Sequence, residues 1–148
     1  MNALLMGTFD PFHNGHYELL QQASRLFNVY VAITENPKKS RRYDVDKCAK
    51  IIKTLTSNVF ITEDYLGLDI ISKYNCMYVV RGIRDEKDFT YENNLAEMYR
   101  SILPQINILY IKTHTDLSST FVYKELKEGK DISIYLPYNV KLLEDVCA

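Results

Sequence analysis

An open, doubly wound α/β sheet of five parallel strands is the architecture that this 148-residue sequence predicts. Two observations carry the prediction. Five short apolar runs recur along the chain, and between them lie segments whose apolar residues return at helical spacing. Such alternation implies βαβ units, right-handed crossovers and a parallel sheet covered by helices on both faces. Length agrees. A single domain of this size buries roughly 70% of the surface its unfolded chain exposes, enough for one sizeable core. Two domains would be cramped, so one unit over residues 1–148 is expected.

The runs are Ala3–Met6, Val29–Ile33, Val59–Ile61, Met77–Val80 and Ile106–Ile111. Several are rich in valine, isoleucine and tyrosine and predict buried strands. Tyr17, Leu20, Ala23 and Leu26 define one face of a first helix, and Val45, Ala49, Ile52 and Leu55 that of a second. Leu68, Ile71 and Tyr74 mark a third helix; Leu95, Met98 and Ile102 mark a fourth. A fifth starts near Ser118, and a short helical segment follows Pro137. All four prolines, Pro11, Pro37, Pro104 and Pro137, fall at these boundaries, where a missing N–H costs least. With only five glycines, against a usual share of roughly 7%, flexible-linker and low-complexity compositions are excluded.

Lysine and arginine total 18 against 19 acidic residues, a net charge of −1. Proteins that track a nucleic-acid backbone carry a large basic excess, so that class is disfavoured unless positive charge is concentrated locally. Cys48, Cys76 and Cys147 are odd in number and lack zinc spacing, which predicts reduced thiols. No stretch approaches 18 apolar residues, and the N-terminus turns polar too soon for a signal peptide. The expectation is a soluble chain of the cytoplasm.

In sheets of this kind ligands sit beyond the carboxyl ends of the strands, where strand order reverses. The residues after each run therefore matter most. Gly7-Thr8-Phe9-Asp10-Pro11-Phe12-His13-Asn14-Gly15-His16 follows the first. It contains neither GxxxxGK[ST] nor GxGxxG. Its ingredients still suit phosphate. Gly7 allows close backbone approach, and Asp10 and Asn14 can cap turns. Gly15 and His16 fall in the first turn of a helix whose N–H groups favour anions. His13 and His16 can face one bound group. A zinc pair would need a third ligand and the i, i+4 spacing of HExxH, so phosphate is the better match.

After the second run, Lys38-Lys39-Ser40-Arg41-Arg42 places four basic residues in five positions. Such a run is ordinarily a solvated loop. Here it leaves a strand end on the side where anions should bind, and polyanionic substrates need local positive potential. One of these residues is expected to join the chemistry and the rest to steer. After the fourth run, Arg81 and Arg84 flank Gly82 and can bring two guanidinium forks onto one polyphosphate. The competing account pairs them with Asp85, Glu86 or Asp88. Glu92 is a helix-face carboxylate able to bind a ribose or amine, and equally able to face water. After the fifth, Thr113–Thr120 is rich in hydroxyls and leads into a helix, as an N-cap does.

His13-Asn14-Gly15-His16 resembles the HxGH signature of the nucleotidyltransferase superfamily, with Thr8 where that superfamily has Thr or Ser. More specifically, Arg81-Gly82-Ile83-Arg84…Asp88-Phe89-Thr90-Tyr91-Glu92…Met98-Tyr99-Arg100 is similar to the RGxR…DFxYE…MNR block of bacterial phosphopantetheine adenylyltransferases. Leu117-Ser118-Ser119-Thr120-Phe121-Val122 and Asp131-Ile132-Ser133…Leu136-Pro137…Val140 match the C-terminal pattern of that family. The resemblance implies a Rossmann-like domain that transfers AMP from ATP to 4′-phosphopantetheine, giving dephospho-coenzyme A and pyrophosphate. It implies a homohexamer and Mg2+ bound mainly through substrate phosphates.

By position, the resemblance makes His16, Lys39 and Arg84 the catalytic set. Thr8, Lys39, Gly67 and Arg81 would bind the phosphopantetheine substrate. ATP would be held by Thr8, Phe9, His16, Gly82, Ile83, Arg84, Glu92 and the segment His114, Thr115, Asp116, Leu117, Ser118, Ser119 and Thr120. There are departures. Met6 replaces a common proline, His13 a usual Thr or Ser, Thr115-Asp116 a typical Ser-Phe, and Tyr123 a usual Arg or Lys. Phe12-His13-Asn14 also looks partly like nicotinate mononucleotide adenylyltransferase, the nearest rival. A cytidylyltransferase, or a non-catalytic nucleotide-sensing module, are the further alternatives.

Overall fold

In the computed structural model, which describes residues 1–35 and 40–144, the strand that opens the chain lies at the middle of the sheet. This strand, β1 (Asn2–Gly7), is followed by α1 (Asn14–Ser24), β2 (Asn28–Thr34), α2 (Val45–Lys53) and β3 (Val59–Thr62). Then come α3 (Leu68–Tyr74), β4 (Tyr78–Ile83), α4 (Lys87–Ile102), β5 (Asn107–Lys112) and α5 (Ser119–Lys127). A 3-10 turn (Ser133–Tyr135) and α6 (Lys141–Glu144) complete the described chain. The strand order is β3-β2-β1-β4-β5 and every pairing is parallel. Chain order thus reverses between β1 and β4.

Alternation of side chains explains why β1 is apolar from Ala3 to Met6. Ala3 and Leu5 enter a cluster with Leu19, Leu20 and Ile52 from α1 and α2. Leu4 and Met6 enter another with Ile70, Ile71, Leu95 and Tyr99 from α3 and α4. A third cluster seats Val122, Ile132 and Leu143 against Ile51. Tyr99 is fully buried, and its hydroxyl donates to the Leu66 carbonyl at 2.5 Å. Each such buried large apolar side chain is worth about 1.5–3 kcal/mol.

Several expectations are corrected. β4 continues to Ile83, so Arg81 and Gly82 are strand residues rather than loop residues. β3 and β5 form the sheet edges and are only partly covered; Ile61 and Tyr110 meet solvent. Helix α1 stops at Ser24, leaving Leu26 exposed, and Leu55 lies past the end of α2. In α4 the buried stripe is Leu95, Ala96 and Tyr99, while Met98 and Ile102 face outward. Helical period was legible there, but two of three residues belong to the solvent side.

The register at the centre creates the site. β1 pairs with β4 only through Ala3–Tyr78, Leu4–Val79 and Leu5–Val80. Beyond Leu5 the two strands part, Gly7 staying beside Ile33 of β2 and Ile83 beside Lys112 of β5. A crevice opens at the strands' carboxyl ends, where the order reverses. Cys48 and Cys76 are free, buried thiols, and Cys147 lies outside the described residues. Among the described residues no helix is long and apolar enough to cross a membrane.

Candidate active site

The crevice is a cavity of about 490 Å³. One wall is the start of α1. His13 is its N-cap, with extended backbone (φ −141°, ψ −178°), and its Nδ1 accepts the Gly15 N–H at 3.0 Å. His16 Nδ1 accepts the His13 N–H in return, at 3.2 Å. Two imidazoles thus form a reciprocal capping box, a task usually shared by Ser or Thr with Glu or Gln. Gly15 leaves the ring its place, because a Cβ on it would stand 2.9 Å from His13 Cε1 and one of the two would have to shift. Asn14, expected as a cap, instead donates its side-chain amide to the Ile134 carbonyl. Asp10 does cap, at long range: its carboxylate accepts the N–H groups of Arg42 (2.7 Å) and Tyr43 (2.8 Å).

The capping box fixes the histidine chemistry. Each Nδ1 is an acceptor, so each neutral ring carries its proton on Nε2. The rings stack with centroids 3.8 Å apart, and Phe9 packs edge-on against His16 at 4.9 Å. Burial, helped by the Arg84 charge, lowers His13 from 6.5 to about 4. His16 is held well below the usual histidine range, chiefly by burial and then by His13, Arg84 and Arg81. Both are neutral N–H donors at pH 7.

The opposite wall carries Arg81, on β4, and Arg84, just past its end. Arg81 Nη2 lies 2.8 Å from Glu92, with Nε also donating to that carboxylate, and Nη1 donates to the Met6 carbonyl at 3.0 Å. That last bond occupies the place where β1 and β4 cease to pair. Glu92 is only 5% exposed and its carboxylate is engaged by Arg81, so it does not face open water. Arg84 donates to Asp88 at 3.1 Å and to the Leu117 carbonyl at 3.3 Å. The surface-network account therefore holds for Arg84, while Arg81 chooses a partner that account did not include. Both arginines and Glu92 line the cavity all the same.

The third wall is the start of α5. Ser118 caps it by accepting the Phe121 N–H at 3.0 Å. Ser119 Oγ donates to the Pro11 carbonyl, and Thr120 Oγ accepts from Arg42 at 2.7 Å. Leu117, Ser118, Ser119, Thr120, Thr8, Phe9, His16 and Gly82 all line the cavity, as expected of ATP contacts. Five expected residues do not line it. Ile83 is one. His114 turns away: its N–H and its imidazole both bond the Glu18 carboxylate. Thr115 Oγ accepts the Leu117 N–H inside its own loop, and the Asp116 side chain is exposed. Gly67 caps α3 with φ +66°, where a Cβ would meet Leu4 Cδ2 at 2.8 Å. That geometry demands glycine for packing on the other face of the sheet. Lys39 lies outside the described residues.

From sequence, Tyr65 carries no assigned role, Asp10 is named only as a turn cap, and no individual contact is assigned to Arg41 or Arg42, yet all four line the cavity. Tyr65, two residues before Gly67, lines it and hydrogen-bonds the Tyr91 hydroxyl. Arg41 donates to the Thr8 carbonyl at 2.9 Å, tying the basic segment to the first turn. Arg42 and Asp10 complete that tie, with Arg42 Nη1 on the Asp10 carbonyl at 2.9 Å. The basic run signalled Arg41 and Arg42 only as a group. Among the described residues no group of three or more His, Cys, Asp or Glu is arranged to hold a metal. The carboxylates of the cavity, Asp10, Asp88 and Glu92, already accept backbone or arginine N–H groups.

A parallel sheet that opens a polar, arginine-lined crevice at its switch point, with paired imidazoles at a helix start, defines a nucleotide-handling α/β domain. Comparison with known proteins narrows the class. The cytidylyltransferase-like family description matches residues 4–133. Phosphopantetheine adenylyltransferase of Prochlorococcus marinus subsp. pastoris is 34% identical, over 95% of this chain and 94% of its own. The phosphopantetheine adenylyltransferase of Mycoplasma mycoides subsp. mycoides is 35% identical, over 81% and 92% respectively. Among solved structures, a putative nicotinate-nucleotide adenylyltransferase from Vibrio parahaemolyticus superposes with a TM-score of 0.62 at 23% identity, covering 96% of this chain and 97% of that one. That likeness establishes the Rossmann-like fold. The chain belongs to the cytidylyltransferase-like nucleotidyltransferases, in the phosphopantetheine adenylyltransferase family.

Proposed function

We infer that the protein transfers AMP from ATP to 4′-phosphopantetheine, forming dephospho-coenzyme A and releasing pyrophosphate. Family membership supplies the reaction, and one observation supports it in the site: a neutral, Nε2-protonated His16 lining a crevice walled by arginines. A substrate phosphate is already an anionic nucleophile, so no general base is needed. Its oxygen attacks the α-phosphorus of ATP, the bond to the bridging α–β oxygen breaks, and pyrophosphate leaves. His16 Nε2–H donates to a non-bridging α-phosphate oxygen as charge builds there. A neutral donor suits this task, because it carries no proton that the anion can take outright.

Thr8, Lys39 and Arg81 are assigned to the phosphopantetheine phosphate, with Gly67 contributing through its loop, whose Tyr65 reaches the cavity. Arg84, Glu92, Phe9 and the Gly82–Ile83 backbone are assigned to ATP together with Leu117, Ser118, Ser119 and Thr120. His114, Thr115 and Asp116 stay in the ATP set on resemblance alone. Magnesium is assigned to the triphosphate, since it keeps several waters and needs few protein ligands. The cavity's carboxylates are engaged elsewhere, and no step here passes through the ion. A homohexamer in the cytoplasm completes the proposal. The outward Met98 and Ile102 of α4, one turn apart, and β5, the edge strand among the described residues, offer surface for self-association.

The test is pyrophosphate release from ATP and magnesium with phosphopantetheine, with nicotinate mononucleotide, or with neither. Turnover with phosphopantetheine alone is expected. Turnover with nicotinate mononucleotide instead would assign the rival activity, and binding of ATP without turnover of either would leave a sensing module.

A further inference from the structure

Arg41, Arg42, Arg81 and Arg84 all line the crevice, and they differ in charge balance. Three face carboxylates. Arg81 is 2.8 Å from Glu92, Arg84 is 3.1 Å from Asp88, and Arg41 is 3.9 Å from Asp10. Among the described residues the Arg42 guanidinium bonds only neutral oxygens, the Asp10 carbonyl at 2.9 Å and Thr120 Oγ at 2.7 Å. The Asp10 carboxylate is turned instead to the backbone N–H groups of Arg42 and Tyr43. Because His13 and His16 are neutral, they add no positive charge. Four arginines meet three acids in the described crevice, and the uncompensated cation is Arg42.

Arg42 is also held in position. Its guanidinium lies 5.3 Å from the centroid of the Tyr123 ring, a cation–π support. Two hydrogen bonds anchor the fork to the β1–α1 turn and to the start of α5. Three anchors reduce the entropy lost when such a long side chain binds an anion. The residue remains exposed, so its remaining donors are open to a ligand.

We propose that Arg42 binds the β- and γ-phosphates of ATP, the part that departs as pyrophosphate. The proposal rests on the adenylyl-transfer reaction above. Thr120, which Arg42 grips, belongs to the segment assigned to ATP, so the anion that arrives there is the triphosphate tail. Arg81, across the crevice on β4 and assigned to the acceptor phosphate, is already neutralised by Glu92. The ATP side therefore holds, beside the Asp88-paired Arg84, one cation that no carboxylate of the described crevice neutralises.

Equilibrium binding of ATP, AMP and inorganic pyrophosphate, each with magnesium, to the wild type, Arg42→Gln and Arg42→Lys tests this. Glutamine keeps a polar amide but carries no charge; lysine keeps the charge and loses the fork. R42Q should weaken ATP and pyrophosphate by about tenfold or more, the worth of one charge-assisted hydrogen bond, and leave AMP within about twofold. R42K should fall between wild type and R42Q. Unchanged pyrophosphate affinity in R42Q, or AMP weakened as much as ATP, would overturn the proposal. So would an R42K as weak as R42Q. The wild-type turnover assay separates the two layers. If pyrophosphate binding depends on Arg42 but phosphopantetheine is not adenylylated, the proposal stands and the reaction falls. If turnover occurs while pyrophosphate binding ignores Arg42, the reverse holds.

Discussion

His13 and His16 stack at 3.8 Å while each turns its Nδ1 to a backbone N–H, so two histidines cap one helix and expose only Nε2 protons to the crevice. The helix start, the tautomers and the site's chemistry are one arrangement. Its consequences can be measured separately.

His16→Ala should lower kcat by about 10²–10³-fold, the usual loss for one donor that acts in the transition state, with far less change in ATP affinity. Stopped-flow or steady-state turnover beside direct ATP binding checks this. A loss confined to affinity would remove His16 from the chemical step.

Gly15→Ala should disturb the same box from outside it. The added methyl, 2.9 Å from His13 Cε1, forces that imidazole off the Gly15 N–H. The expected cost is about 1–3 kcal/mol of stability, with turnover falling as His16 loses its neighbour. Denaturant unfolding and the turnover assay would both register it. Wild-type stability in G15A would mean that the ring has room to move.

Stability should depend on pH in a direction the burial fixes. Folded His13 titrates near 4 and unfolded histidine near 6.5, so between these values the unfolded chain binds more protons. The stability is complete above pH 6.5 and declines as pH falls toward 4; His16, also lowered, adds to the same slope. His13→Asn keeps a good N-cap and removes one titrating group, so its melting temperature should fall less steeply over that interval. An unchanged slope would mean that His13 is not buried as neutral imidazole.

Breaking Arg81–Glu92 should be costly. Glu92→Ala leaves a buried guanidinium with the Met6 carbonyl but no carboxylate, an expected loss of about 3–5 kcal/mol in unfolding free energy. The double variant Arg81→Met, Glu92→Leu should be less destabilised than Glu92→Ala. Equal losses would show that the pair is not coupled.

Much of this was legible in the chain. Five apolar runs, their order and the start of α1 follow from local pattern, because strand and helix periods are local properties. Edge exposure was not legible: β5 reads as apolar as β1, and only its place in the sheet leaves Tyr110 in water. Arg81–Glu92 joins residues 11 apart through the angle between β4 and α4, and Asp10–Arg42 joins residues 32 apart, so no sequence spacing announces either. His13 as N-cap was hidden because imidazole seldom fills that role. Lys39, the strongest candidate from the basic run, lies outside the described residues.

Adenylyl transfer to a phosphate acceptor is measured most directly by pyrophosphate release. With ATP, magnesium and 4′-phosphopantetheine the wild type should release pyrophosphate in step with dephospho-coenzyme A, and should release none when the acceptor is omitted. No pyrophosphate at saturating ATP, magnesium and acceptor would contradict the account.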